Sequence, residues 1–362
     1  MELRIKKLDW YIFKRFILTF VIALLLIIGI VIIFDISEKI DNFIAHQAPL
    51  KEIIFEYYVN FIPQFVNMFS PLFVFISVIF FTSRLAANSE IIAILSSGVS
   101  YHRMMVPYMV AAAIIAAVSM GLGLYVIPRA NVHRLAFEGQ YIKQRSTNVR
   151  NVHYQIAPGT FVFVESFSSW SNTAYRFTLE QVEGDRVVSK TSAESAVWDS
   201  TSGSWKLRKY FTRNYSEGLG DKVISGAEKD TVIALTIDDF YRNKATVETL
   251  TIGELNELIR TQELRGDASV KYSLIEKHTR MALPFSAFIL TVMGVSLSSR
   301  KKRGGTGWNI AIGIALAFSY ILFLRFSQMF VYTDLLPPSI ALWLPNVLFV
   351  IITAFLYKMA PK

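Results

Sequence analysis

Residues 16–34 read Phe16-Ile17-Leu18-Thr19-Phe20-Val21-Ile22-Ala23-Leu24-Leu25-Leu26-Ile27-Ile28-Gly29-Ile30-Val31-Ile32-Ile33-Phe34, without a single charge. A helix crossing the hydrocarbon core of a bilayer needs about 20 consecutive apolar residues, so this run is long enough to span. Others follow. Residues 57–83 are uncharged although they hold Pro63, Gln64, Asn67 and Pro71. Residues 104–127 are closed by Pro128, and after a long polar interval come 281–299, 308–330 (interrupted by Arg325) and 335–357. The composition agrees. Only 18% of the 362 residues are charged, against roughly a quarter in a soluble domain, and there is too little polar chain to cover so many apolar helices. The expected fold is a membrane protein of six transmembrane helices, three before and three after an inserted domain.

The formal net charge is +9, and its placement excludes a nucleic-acid stripe. The basic residues flank the apolar runs: Arg4, Lys6, Lys7, Lys14 and Arg15 at the start, Arg84 and Arg103 between spans two and three. Arg300-Lys301-Lys302-Arg303 lies between spans four and five, with Lys358 and Lys362 at the end. The opposite loops are acidic or neutral, with Asp35, Glu38, Asp41, Glu52, Glu56 and Asp334 outweighing Lys39 and Lys51. Positive charge marks the cytoplasmic side, so both termini are expected there and 129–280 outside. The first run is longer than the apolar stretch of a signal peptide and lacks a small-x-small cleavage site, so it is expected to remain as an anchor. The absence of cysteine removes disulfides and thiolate chemistry.

The interval 129–280 changes period. Phe161, Phe163 and Glu165 alternate with Val162 and Val164, and residues 175–180 alternate in the same way. Gly184-Asp185 has the character of a two-residue hairpin loop, and Trp198 and Trp205 flank a second turn at 199–203. Short strands with regular turns predict an all-β, jellyroll-like domain over about 151–238. Thr251-x-x-Glu254 is a capping box opening a helix that ends near Gly266. A second polar helix over 272–280 leads into span four, completing a helical connector over 251–280. The domain plan is therefore 1–128, 129–280 and 281–362.

No site for chemistry emerges. Gly304-Gly305-Thr306-Gly307 is too short for a phosphate-binding loop and lacks its lysine. The five histidines have no metal-ligand spacing. Ser298-x-x-Lys301 sits in a basic loop, where a topology anchor explains it better than a nucleophile. No catalytic residue, metal or bound cofactor is expected. Arg325 is the clear ionisable residue inside a span; it either snorkels to the nearby surface or faces an anionic ligand. The loop between Arg84 and Arg103 carries an apolar helix over 85–95, ended by Gly98, with one acid, Glu90, near its start. Such a helix either lies in solvent or at the membrane interface, or docks a cytoplasmic partner.

Taken in order, these segments resemble the LptF/LptG permeases of lipopolysaccharide export. Leu8-Asp9-x-Tyr11-Ile12 is similar to that family's opening, and Asn88-Ser89-Glu90-Ile91 through Ser97-Gly98-Val99-Ser100 to its coupling helix, about 85–98. Ala193, Ala196, Trp198, Trp205 and Leu207 fit its periplasmic hairpin, and Tyr272, Arg280 and Pro284 fit its approach to span four. The opening motif and Phe34-Asp35 lean toward the LptG branch. The resemblance implies a permease subunit in the bacterial inner membrane, paired with a second permease of the family, a cytoplasmic LptB-type ATPase dimer holding ATP and Mg, and a periplasmic LptC-type jellyroll protein. It implies that Ser89, Glu90, Ile91, Leu95 and Gly98 couple to the ATPase. It also implies that lipopolysaccharide enters laterally and leaves through the jellyroll, with Phe161, Phe163 and Phe177 as conduit candidates. Headgroup candidates are Lys39, Arg129, Arg134 and Arg325, with Lys143 nearby. The span-one corner departs from the family's basic pattern, since Lys39 stands among Asp35, Glu38 and Asp41. A stand-alone secondary transporter would instead need intramembrane acids or ion-coordinating broken helices, and a membrane-anchored hydrolase would need a nucleophile–base pair.

Overall fold

The computed structural model describes residues 7–142, 148–215, 220–241, 244–267, 269–299 and 306–360. Arg4, Lys6, Lys143, the Arg300–Arg303 run, Gly304-Gly305 and Lys362 lie outside the described residues. Two compact units result, one of Met1–Phe137 with Leu274–Lys362 and the other of Glu138–Ser273.

The first unit is built on six helices long and apolar enough to cross a membrane: α1 (Lys7–Ala45), α2 (Leu50–Ala87), α4 (Tyr101–Tyr141), α8 (Val270–Ser298), α9 (Thr306–Tyr332) and α10 (Pro338–Met359). The short α3 (Glu90–Ser96) lies between α2 and α4. Several helices outrun their apolar stretches. At about 1.5 Å per residue, the 39 residues of α1 extend roughly 58 Å, nearly twice a hydrocarbon core. Nor does the third helix stop at Pro128. The proline has no N–H for the carbonyl four residues back, and a wider turn over Leu122–Val126 precedes it, in which the Ile127 N–H reaches Leu122 five residues back. That local change of pitch lets the helix run on to Tyr141.

Helices α2 and α8 are the most enclosed, with 61% of their apolar windows buried against 11% for α1. Small residues allow the close approach. A Cβ on Gly294 would lie 2.8 Å from Val78 Cγ1, and one on Gly313 would lie 2.1 Å from Ile79 Cδ1. Several buried polar groups are tied across helices, as an environment without water favours. The Tyr320 hydroxyl donates to Asn346 Oδ1 (2.7 Å), whose amide donates to the Ala282 carbonyl (2.9 Å). That carbonyl lies just before Pro284, where the helix tightens into a 3-10 turn. Ser119 donates to Asn67 (2.6 Å), and Thr82 and Tyr108 share a hydrogen bond of 3.0 Å.

The second unit is an antiparallel meander in sequence order, β1 (Asn148–Ala157), β2 (Thr160–Ser168), β3 (Thr173–Glu183), β4 (Arg186–Asp199), β5 (Ser204–Asn214) and β6 (Lys222–Thr231). It is a jellyroll-like β domain. Glu183 pairs with Arg186 across Gly184-Asp185, and Gly184 takes the left-handed φ of 62° that this turn requires. Trp198 pairs with Trp205 across the next turn. After the sheet come α5 (Ile237–Tyr241), α6 (Lys244–Glu248) and α7 (Ile252–Leu264). The start of α7 is closed by Glu254, which accepts the Thr251 N–H (2.8 Å). That bond holds the Glu254 carboxyl below the usual carboxylate range.

A crease crosses this sheet. Asn151, Arg176 and Lys209, on alternate strands, adopt left-handed φ of 52°, 50° and 49°. Side-chain alternation inverts on the line they mark. Val162 and Val164 face the core before it and Phe167 after it; Ala174 faces the core before Arg176, and Phe177 after it. Ion pairs lie along the crease, Arg176 with Glu165 and Lys209 with Glu194, each at 2.7 Å. The inversion keeps one apolar face turned inward while the sheet bends.

Candidate functional site

The short α3 and its flanking turns join the second and third membrane helices. The expected helix from 85 does not run through. Helix α2 ends at Ala87, Ser89 turns left-handed (φ 62°), and α3 starts afresh at Glu90 and stops before Gly98 (φ 84°). No glycine or proline marks that break at 88–89. Ile91 is 1% exposed and belongs to the buried cluster that also holds Leu85, Ala86, Tyr101 and Met104, with Ile94 and Leu95 packed against that cluster. Ile92, by contrast, is 55% exposed. Ile91 therefore anchors the loop, and the outward face is Ile92 with Ala93 and Ser96.

Two contacts bind this loop to the start of α1. Glu90 accepts the Tyr11 hydroxyl on Oε2 (3.2 Å) and the Asn88 amide on Oε1 (3.2 Å). Arg103, in the first turn of α4, makes a two-pronged ion pair with Asp9 at 2.7 and 2.6 Å. The pair is part-buried, the side chains being 24% and 15% exposed. In the sequence, Arg103 stands as a topology charge and Asp9 as part of an opening motif. Their pairing across 94 residues has no spacing signal.

At the other end of the bundle, Lys39 already has a carboxylate. It pairs with Asp35 one helical turn earlier and touches the Tyr57 hydroxyl. Tyr58 also donates to Asp35 (3.1 Å), and the ammonium stands 4.8 Å from the centroid of the Tyr57 ring. Arg129 is exposed and Arg134 partly so. Arg325 lies on the exposed side of α9, its guanidinium 3.1 Å from the Met68 sulfur. Among the described residues, no group of three or more His, Asp or Glu side chains is placed to hold a metal.

The conduit candidates divide. Phe177 is 1% exposed, paired with Val164 and part of the domain core. Phe161 and Phe163 point to the opposite face from Val162 and Val164, and Phe161 is 40% exposed. The inward residues of β2 are thus the two valines, and Tyr175, 44% exposed, is separated from Phe177 by the crease at Arg176. The interior is closed on one side by residues 233–240. The Trp205 indole donates to the Leu235 carbonyl (2.8 Å), Tyr154 donates to the Asp239 carbonyl (3.0 Å), and Phe240 stacks on Phe167 at 4.5 Å.

A family model described as Lipopolysaccharide export system permease LptF/LptG matches residues 10–359. The chain belongs to the LptF/LptG family. No curated protein matches it at a significant level. The LptF/LptG match runs through both units, from the start of α1 to the end of α10, with the β domain inserted between the third and fourth membrane helices. It makes the chain a multi-pass permease of lipopolysaccharide export, a transport component rather than an enzyme.

Proposed function

We propose that this LptF/LptG permease works as one subunit of an ATP-driven transporter that draws lipopolysaccharide from the inner membrane and passes it through the β domain. Its partners are a second permease of the family, an LptB-type ATPase dimer at α3 and an LptC-type jellyroll protein beyond the sheet. ATP and Mg belong to the ATPase. Both termini are cytoplasmic and the β domain periplasmic, following the distribution of Lys and Arg.

The observation that carries this reading is the mounting of α3. A docking helix must be rigid toward its own protein and exposed toward the other. Ile91 and Leu95 seat α3 on the bundle, Glu90 fastens it to Tyr11, and Ile92 is left outward. Ser89 and Gly98 supply the left-handed turns that bound it. Movement of the ATPase then reaches α1 through Asp9–Arg103 and Tyr11–Glu90, and α1 is the least enclosed of the membrane helices. Its freedom to shift suits a lateral opening for lipid.

For the headgroup, an anionic phosphate needs cations with guanidinium geometry. Lys39 is paired with Asp35, and Arg129, Arg134 and Arg325 are the guanidinium candidates in this reading. Acyl chains follow the face bearing Phe177, Val162 and Val164 rather than Phe161 and Phe163. Strand β6 has one sheet neighbour among the described residues and offers its other edge for the next jellyroll to extend, whereas on β1 the Gln155 N–H already reaches the Arg265 carbonyl. The test is purification of the chain with its bound partners from native membranes. Ile92→Asp is expected to lose the ATPase while the permease stays inserted, and Glu90→Ala to keep ATP turnover but lose lipid release. An ATPase that stays bound to Ile92→Asp and drives normal release would overturn the docking.

A further inference from the structure

At the α3 end of the bundle, α1, the last turns of α2 and the start of α3 enclose a cavity of about 130 Å³. Its lining includes Tyr11, Arg15, Phe80, Arg84, Asn88 and Glu90. Two arginines and a glutamate in so small a space would ordinarily pair. Here they do not. Both Glu90 oxygens are engaged by Tyr11 and Asn88. Among the described residues, neither the Arg15 nor the Arg84 guanidinium has a carboxylate within ion-pair distance. Arg15 lies over the Tyr11 ring instead, 5.6 Å from its centroid. Arg84 lines the same cavity, so the two cations share one field. Like charges facing one cavity repel, and an anion between them reverses the sign of that interaction.

Helix geometry indicates what kind of anion. Positions 15, 18, 22 and 25 fall on one stripe of α1, and Leu18, Ile22 and Leu25 are 49%, 48% and 63% exposed. Phe80, in the cavity wall, is 49% exposed. A charged head at Arg15 therefore continues into an open apolar track running along the membrane span, as a lipid's head continues into its chains. Guanidinium groups match phosphate oxygens in geometry. Glu90 at the same cavity disfavours a doubly charged group, which suits the single charge of a phosphodiester. We propose that Arg15 and Arg84 bind the phosphodiester of a membrane lipid headgroup in the leaflet at the α3 end, with its chains along Leu18, Ile22 and Leu25. This lipid is distinct from the cargo, whose headgroup cations lie at the other end of the bundle. By occupying the wall shared by α1 and α3, it makes the α3 mounting sensitive to the surrounding lipid. The assignment stands on the cavity and not on the ATP-driven reading.

The test uses the full-length chain in the assembly purified from its native membrane, delipidated and titrated with phosphatidylglycerol while bound copies are counted by native mass spectrometry. The expected result is one retained lipid that Arg15→Gln/Arg84→Gln binds at least tenfold more weakly, a change equivalent to about 1.4 kcal/mol. Lys7→Gln/Lys14→Gln removes the same formal charge at the same end outside the cavity and is expected to leave binding unchanged. Equal weakening in both double variants would reduce the effect to diffuse attraction and overturn the site. Inorganic phosphate at millimolar concentration competing as well as lipid would assign the cavity to a free anion and overturn the lipid. Unchanged lipid binding with loss of a copurifying ATPase would place the arginines on a protein interface and overturn it too.

Discussion

Removing one half of the Asp9–Arg103 pair should loosen α3 from α1 without unfolding the bundle. The two hydrogen bonds, 2.7 and 2.6 Å long, join side chains that are 15% and 24% exposed. A fully exposed pair contributes about 0.2–1 kcal/mol, while hydrogen bonds to charged groups contribute about 1.5–3 kcal/mol. Partial exposure puts the coupling at about 1–3 kcal/mol, which corresponds to about 5- to 150-fold in an equilibrium. A double-mutant cycle of Asp9→Ala, Arg103→Ala and both together, read by thermal unfolding of the purified assembly, measures it directly. The functional readout is lipid released per ATP consumed. Each single variant is expected to lower that ratio while keeping the ATPase bound. The charge swap Asp9→Arg/Arg103→Asp should restore part of it. A coupling energy within about 0.3 kcal/mol of zero, the ordinary additivity error, or an unchanged ratio would refute the transmission argument.

Gly294→Ala places a methyl group 2.8 Å from the stiff Val78 side chain. The expected overpacking cost is about 1–3 kcal/mol, seen as a lower unfolding midpoint in detergent; no change would contradict the close α2–α8 contact. Asn346→Leu strands the Ala282 carbonyl and removes the Tyr320 hydroxyl's acceptor, with a cost of about 1–3 kcal/mol for an unpaired buried group. Adding Tyr320→Phe should recover part of that loss in the same assay. In the β domain, Phe177→Asp buries a charge and should expose 148–231 to limited proteolysis. Phe161→Asp should leave the cleavage pattern unchanged, and equal sensitivity of the two would contradict the assigned faces.

Much of this molecule is legible from local pattern. Charge-free runs give the six helices because a bilayer admits no other reading of them, and Gly184-Asp185 and the Trp198–Trp205 turn give two hairpins because their chemistry is local. What stays hidden depends on distant partners or on backbone that breaks a period. Ser89 and Arg176 turn left-handed although neither is a glycine, so the start of α3 and the crease in the sheet leave no compositional mark. Pro128 reads as a stop, yet the widened turn before it carries the helix onward. Lys39 stands among acids in the sequence, but only the fold shows Asp35 and Tyr57 occupying it. Ile91 and Ile92 are chemically alike, and only packing separates the anchor from the outward residue.

The central claim is that this permease turns ATP hydrolysis into movement of lipopolysaccharide out of the membrane and through its β domain. The most direct measurement reconstitutes the chain with its copurified partners in lipopolysaccharide-loaded proteoliposomes and places a photocrosslinker at Val164, on the inward face of β2. The account predicts lipopolysaccharide adducts at Val164 that require ATP hydrolysis and disappear in Glu90→Ala, while the same crosslinker at Phe161 stays unlabelled. Adducts that form equally without ATP, or only at Phe161, would contradict it.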